Sequence, residues 1–380
     1  MHSPLPAGAV VKGAWSLLFG PGQARRRVTR WLQSEFEVED PLLTDSGTSA
    51  LALAMKASLS GSRTSIMLPA YGCYDLVTAA LAAGVPVRWY DVDPATLAPN
   101  RASLESAVTD DVAAIVIVHY FGVPVDLRPA RSLAERWGTL IIEDAAQGIG
   151  GRMDERPLGA FGDLAVLSFG RGKGLTSGGG GALLANTPAG RTALTPSRRR
   201  LEPPGGATRP LVASFAQWLL ARPATYAIPS ALPFLRLGDT VFREPEPARE
   251  MNRVALRILS ETVEHVWPEA DVRRRNAARL AARAGRAATV PAGGIGQPGY
   301  LRLPVMLPSD RRHKAGEPGA RTLGIMRGYP RVLTSLPGPT ATSQSFPGSE
   351  ELVGGLITLP VHSRLDERDL RALERWIDEV

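Results

Sequence analysis

"VAAIVIVHYFGVPVDLRPARSLAERWGTLIIEDAAQ", residues 112–147, decides the fold. It opens on a continuous β-branched run, Val112 to Gly122, that ends in a polar residue and a glycine. An amphipathic helical pattern follows from Leu127 to Gly138, and a second apolar run, "TLIIEDAAQ", spans Thr139 to Gln147. An apolar run without polar alternation reads as a strand covered on both faces. Strand, helix and strand joined by short connectors make a βαβ unit on a parallel sheet. "PVRWYDV" (Pro86 to Val92) and "LAVLSF" (Leu164 to Phe169) add strands, and "TSALALAMKASL" (Thr48 to Leu59) has helical composition with a Thr or Ser poised to cap its start. Ligands of such sheets sit beyond the carboxyl ends of the strands. His119, Asp144 and Ser168 all lie at or near such ends, so topology alone nominates a site there.

The 380 residues exceed one ordinary core, and two domains are expected. The division falls into an N-terminal extension (1–27), a large domain (28–247) ending in a proline-rich connector (200–247), and a smaller α/β domain (248–380). The connector holds an apolar stretch, "LVASFAQWLLARPATYAIPSALPFL", residues 211–235. Its aromatics, Phe215, Trp218, Tyr226 and Phe234, are hard to bury within one subunit, so a homodimer contact is expected there and membrane contact is not. Beyond it the sequence predicts a long helix over 249–287 with a break near Pro268. Short strands in "YLRLPVML" and "LITLPV", a loop at 307–319 and a terminal helix over 366–377 complete the chain.

Lys and Arg outnumber Asp and Glu by 44 to 37, giving a net charge of +7. That suits anionic partners. The arginine clusters at 25–27, 198–200 and 273–275 lack interleaved aromatics, however, so no nucleic-acid interface is expected. A single cysteine, Cys73, excludes an intrachain disulfide and a cysteine-based zinc cage. The apolar stretch near the start is broken by Lys12, and no window reaches the roughly 18 apolar residues of a membrane span. A cytoplasmic protein is expected.

"SFGRGKGLTSGGGG", residues 168–181, sets one lysine among seven glycines. A phosphate-binding P-loop would need Ser or Thr after Lys173, where Gly174 stands, and a glycine at Leu167. A dinucleotide fingerprint fails at Leu175. Schiff-base chemistry fits better: it needs a lysine on bare backbone beside a flat pyridine cofactor. The cofactor in turn needs a carboxylate on its ring nitrogen and a nest of donors on its phosphate. Asp144 is placed for the first role, and the start of the Thr48 helix for the second.

"TDSGTSALALAMKA", "IIEDAAQGIGG", "LGAFGDLAVLSFGRGKGLTSGGGGALLAN" and "LITLPVHSRL" resemble the successive signatures of the DegT/DnrJ/EryC1/StrS aminotransferases. The resemblance implies a pyridoxal 5'-phosphate enzyme of fold type I: a mostly parallel sheet sandwiched by helices, with a smaller C-terminal α/β domain. It implies Lys173 as the catalytic Schiff-base residue, Asp144 on the pyridine nitrogen and Gln147 on the ring hydroxyl. Gly47, Thr48, Ser49 and Ser168 fall on the phosphate cradle. The position that stacks on the ring falls at Cys73, beside Tyr71 and Tyr74; a small buried hydrophobe is the other reading of that cysteine. Asn252 and Arg253 are candidates for the motif a second protomer contributes. The chain departs from the family pattern at Gly170 and Arg171, where His or Pro is usual, and at Gly179, where Glu is common.

The resemblance further implies amino transfer from an amino acid, glutamate by expectation, to a ketone acceptor, by expectation a nucleotide-linked keto sugar. Two alternatives share the scaffold. A sugar dehydratase is disfavoured, because that branch replaces the lysine with histidine. A catalytically idle or regulatory cofactor-binding homologue stays open.

Overall fold

The computed structural model describes residues 5–19, 21–220, 242–285, 288–291, 295–337, 342 and 344–380. Helices α1 (Ala7–Phe19) and α2 (Ala24–Phe36) precede β1 (Leu42–Thr44), α3 (Gly47–Ser58), β2 (Ser65–Pro69), α4 (Asp75–Ala83) and β3 (Val87–Tyr90). Then come α5 (Arg101–Ala107), β4 (Val112–Val118), α6 (Arg128–Trp137), β5 (Leu140–Asp144) and a small hairpin of β6 (Arg152–Met153) and β7 (Arg156–Pro157). Strands β8 (Leu164–Ser168) and β9 (Gly181–Ala185) are followed by α7 (Pro188–Leu194), α8 (Thr208–Leu220), α9 (Arg253–Thr262) and α10 (Val266–Ala284). The chain ends with β10 (Leu303–Met306), α11 (Pro318–Thr322), β11 (Met326–Arg327), α12 (Pro347–Gly355), β12 (Leu356–Leu359) and α13 (Glu367–Asp378).

Seven strands form the central sheet in the order β1-β9-β8-β5-β4-β2-β3. Strands β3, β2, β4, β5 and β8 pair in parallel, whereas β9 runs antiparallel to both β8 and β1. Every residue of β4 is buried, which explains why that run carries no polar alternation. The register sets Val118 beside Asp144 and Asp144 beside Val166, so the carboxyl ends of β4, β5 and β8 finish on one edge. That edge positions the site.

Local chemistry fixes the element ends. Ser46 caps α3 by accepting a hydrogen bond from the Ser49 N–H at 3.0 Å, and Gly138 ends α6 with a φ of 62°. Strand β4 stops at Val118; Tyr120–Gly122 is a 3-10 turn with Phe121 at a φ of 56°, so the predicted strand is shorter than its apolar run. The helical stretch expected over 249–287 is two helices, Arg253–Thr262 and Val266–Ala284, and the break expected near Pro268 is the 3-10 turn at Val263–His265. Pro268 falls in the first turn of α10, where a missing N–H has no intrahelical partner to lose. The segment expected as a loop at 307–319 contains 3-10 turns over Ser309–Gly316 and the start of α11.

A first apolar core fills both faces of the central sheet. A second lies between the β10-β12-β11 sheet and the helices α10 and α13, with Ala277, Leu280, Leu303, Leu359, Leu370 and Leu373 buried in it. A third, small cluster seats Leu5, Ala9 and Val10 of the N-terminal segment on Val254 and Ile258 of α9. Of the apolar stretch at 211–235, residues 211–220 belong to α8; Tyr226 and Phe234 lie outside the described residues. Among the described residues no helix is long and apolar enough to cross a membrane.

Candidate active site

Asp144 ends β5, buried, with Oδ1 accepting from the Ala146 N–H at 3.0 Å. Burial pushes its carboxyl above the usual range, and the Ala146 N–H and the charge of Lys173 only partly oppose that. The Lys173 charge is therefore felt at the strand end, as it is at the Cys73 thiol. The structure brings these three side chains, far apart in sequence, to one place.

Gly47, Thr48 and Ser49 open α3 at the same edge. The Ser46 and Ser49 hydroxyls lie 2.9 Å apart, and Thr48 is half-buried. Gly47 packs directly on Ser168: a Cβ there would fall 2.7 Å from the Ser168 Cβ and 2.9 Å from its hydroxyl. Only glycine lets the first turn of α3, with its positive dipole end, approach the end of β8 so closely.

Gln147 is held at both ends of its amide. Oε1 accepts from the Phe121 N–H at 3.0 Å, and Nε2 donates to the Tyr329 hydroxyl at 2.6 Å. The Phe121 ring stacks on Tyr329 with centroids 6.0 Å apart, and the Tyr329 N–H donates to the Tyr71 hydroxyl at 3.1 Å. Burial raises the Tyr71, Tyr120 and Tyr329 hydroxyls well above their usual range, so these phenols stay neutral. Sequence reasoning missed Tyr329, which sits in a segment with no periodic signal.

His119 is consumed by structure. Its Nδ1 accepts from the Val125 N–H at 3.0 Å, which places the ring proton on Nε2, and Nε2 faces Glu143 Oε1 at 2.9 Å. Glu143 also accepts from the N–H groups of Gly159, Phe161 and Gly162. Burial opposes its ionisation, but these hydrogen bonds, that from His119 foremost, hold its carboxyl below the usual range. Asn252 caps α9 by accepting from the Ala255 N–H, and Arg253 donates to the Leu17 carbonyl, so both contact their own chain here.

The glycines around Lys173 answer to a residue from far along the chain. Arg273 of α10 is buried and donates to three backbone carbonyls: Gly299 at 2.7 Å, Gly174 at 3.2 Å and Ile149 at 3.1 Å. A Cβ on Gly174 would strike the Ile149 carbonyl at 2.6 Å, and one on Gly150 would lie 2.7 Å from the guanidinium. Bare backbone lets both loops close around this one cation. Burial lowers its pKa to about 10, against the opposing pull of Glu269. Arg273→Gln leaves carbonyls without donors. The expected outcome is a loss of about 3 kcal/mol of stability and tryptic cleavage after Arg171 in the loosened loop. A melting temperature and digestion pattern equal to the parent's would contradict that role.

Cys73 is half-buried, its thiol donating to Asp75 Oδ2 at 3.4 Å. Burial and then the Asp75 charge push it up to about 12, with Lys173 opposing. It is a neutral thiol. Alkylation of this sole cysteine should accelerate about tenfold per pH unit between about pH 7 and pH 10, without a plateau. A plateau below about pH 9 would show that the thiolate is stabilised instead.

The sequence model of the DegT/DnrJ/EryC1/StrS aminotransferase family matches residues 9–198, half of the chain. The chain is 36% identical over 184 residues to the L-glutamine:2-deoxy-scyllo-inosose aminotransferase of Micromonospora echinospora, covering 47% of this chain and 43% of that protein. It is 34% identical over 144 residues to the UDP-N-acetyl-3-dehydro-alpha-D-glucosamine 3-aminotransferase of Acidithiobacillus ferrooxidans, covering 38% of this chain and 39% of that protein. These matches thus span less than half of either relative. The solved structure of NtdA from Bacillus subtilis with bound PMP superposes with a TM-score of 0.77 at 17% identity, covering 99% of this chain and 82% of that one. That likeness extends the fold of these enzymes over the whole chain. With its mostly parallel sheet, its lysine loop and the family match over half its length, the chain belongs to the DegT/DnrJ/EryC1/StrS aminotransferase family.

Proposed function

We propose that this protein is a pyridoxal-phosphate-dependent aminotransferase that moves an amino group from glutamate or glutamine to a ketone on a sugar or cyclitol, nucleotide-linked sugars included. The observation that carries the reading is the convergence of Lys173 and Asp144 at the carboxyl edge of the sheet. The residues fit the cofactor. A Cβ would fill the cleft between Gly47 and Ser168 where a phosphate cradle is needed, and a buried carboxylate destabilised by desolvation gains from a cationic ring nitrogen. The names of the two relatives support the acceptor class.

When bound, the cofactor supplies an electron sink for negative charge developing at the donor's α-carbon. The rest is the work of the chain. Lys173 would hold the cofactor covalently, and its free amine would move a proton at the donor's α-carbon. Asp144 would hold the ring nitrogen in its protonated form. Gln147, fixed by Phe121 and Tyr329, offers its amide to the ring hydroxyl. Ser168 and the first turn of α3 bind the phosphate, and Cys73 with Tyr71 borders the ring face. The proposal includes the division of the chain at 247/248, which makes Arg273 a contact from the smaller part to the lysine loop.

The test is amino transfer itself. The purified protein, aminated with glutamate or glutamine and then offered a panel of keto sugars and keto cyclitols, should return to its aldehyde form with at least one of them. Amination by neither donor would overturn the reading.

A further inference from the structure

The amide of Gln147 takes its direction from two groups that are distant from it in sequence. Phe121 stands in the left-handed region at a φ of 56°, a costly conformation for a residue with a bulky side chain. The segment after Pro298 holds it there: the Leu301 N–H donates to the Phe121 carbonyl at 2.7 Å, and the Gly299 N–H to the Gly122 carbonyl at 2.8 Å. Held in this way, the Phe121 N–H donates to Gln147 Oε1. A backbone N–H accepts no hydrogen bond. The amide oxygen must therefore face Phe121, and the amide nitrogen must face Tyr329.

Tyr329 reaches the amide from just beyond β11. The Gly328 N–H donates to the Leu356 carbonyl at 2.8 Å, and a Cβ on Gly328 would collide with the Tyr71 hydroxyl. With no side chain at that point, the Tyr329 ring can lie against both Phe121 and Tyr71, the latter edge-on with centroids 5.4 Å apart. Burial keeps the Tyr329 phenol neutral, and its oxygen accepts one hydrogen of Gln147 Nε2. An amide nitrogen carries two. Among the described residues the second has no partner. The Cys73 thiol and the Asp144 carboxyl are both felt at the Tyr329 hydroxyl, so this fixed pair stands at the same edge as Lys173.

We infer that Tyr329 is a positioning residue: by holding one hydrogen of the Gln147 amide, it aims the other at the cofactor's ring oxygen. The inference rests on the proposed function, in which Gln147 meets that oxygen. A donor there stabilises negative charge on the oxygen, and the same charge attracts the proton carried by the bound cofactor's chromophore. A well-aimed amide therefore lowers the pH at which that proton leaves. Without the Tyr329 hydroxyl the amide is free to turn, and the proton is held more tightly. Among the groups facing this phenol, burial pushes the Cys73 thiol up to about 12 and the Tyr71 and Tyr120 phenols well above their usual range. These keep their protons near neutral pH. Asp144 also faces it and is the same in every variant compared.

The experiment follows the visible absorbance of the protein loaded with pyridoxal 5'-phosphate as pH is varied, and reads the midpoint of the change. Tyr329→Phe keeps the ring, its contacts and the backbone N–H, and removes the hydroxyl alone. Its midpoint should lie about one pH unit above the parent's. Gln147→Met, which has no donor, should raise the midpoint at least as far, and adding Tyr329→Phe to it should raise it no further. Melting temperatures of the cofactor-free proteins accompany the titrations, because a merely structural tyrosine would lower them without moving the midpoint. An unmoved midpoint in Tyr329→Phe, or the same shift with Gln147 present and absent, would overturn the inference and leave the cofactor reading intact. Should Tyr329→Phe fold poorly, Gln147→Met decides alone, and a parent-like midpoint there overturns the inference. A parent that takes up no cofactor would overturn the proposed function, and the inference with it.

Discussion

Exchange of Lys173 for alanine is expected to lower amino-transfer turnover by about four orders of magnitude, because one side chain performs two tasks. On the proposed function it would anchor the cofactor, and its amine would then carry the proton that moves between carbon atoms. The lysine is half-buried in a loop held by the Gly174 carbonyl and the Ser177 N–H, so the fold should survive its loss. Lys173→Arg separates charge from chemistry. A guanidinium keeps the positive charge facing Asp144 and Cys73 but stays protonated and cannot take up a proton at neutral pH. Steady-state kinetics of both variants should show the same deep loss. An arginine variant with substantial turnover would mean that the lysine acts by charge alone.

The second large effect is expected at Asp144. Asp144→Asn keeps an oxygen for the Ala146 N–H but removes the charge proposed to keep the ring nitrogen protonated. Turnover should fall roughly a hundredfold or more, a few kcal/mol of transition-state stabilisation. The cofactor-free protein should respond in the opposite sense. The folded pKa of Asp144 is raised by burial, so the stability tied to its protonation is fully present below the unfolded pKa and fades as pH rises through the folded value. At neutral pH the charged carboxylate therefore costs stability, and the asparagine variant should melt at the same temperature as the parent or higher. Its melting curve should also lack the parent's decline across that acidic range. Normal turnover would show that another group holds the nitrogen. A cofactor-free variant much less stable than the parent would make Asp144 a structural residue.

The contrast between these two sites shows what the sequence disclosed. Strands β4, β5 and β8 were legible because strands covered on both faces admit no polar alternation, and their ends named Asp144 and Ser168 directly. Strands β1 and β9 were not, since three residues and a "GALLA" run carry too little pattern to separate from turn. The glycines of the lysine loop raised the right question, but its answer required Arg273, 100 residues downstream and helical by pattern. Tyr329 was hidden for a related reason: it reaches Gln147 from a segment whose position is set by tertiary packing, not by local periodicity. Pro268 marked the break near it because a proline is tolerated in a helix's first turn, where it stands in α10. The exposure of Trp15 and Leu18 is likewise tertiary information, as an apolar helix stripe in sequence looks the same whether it meets a core or solvent.

The central claim is that Lys173 carries the cofactor, and one measurement reaches it most directly. Protein loaded with pyridoxal 5'-phosphate is reduced with borohydride, digested and mapped by mass spectrometry. The account predicts a single stable adduct, on the peptide that contains Lys173. An adduct on another lysine, or none after loading, would contradict it.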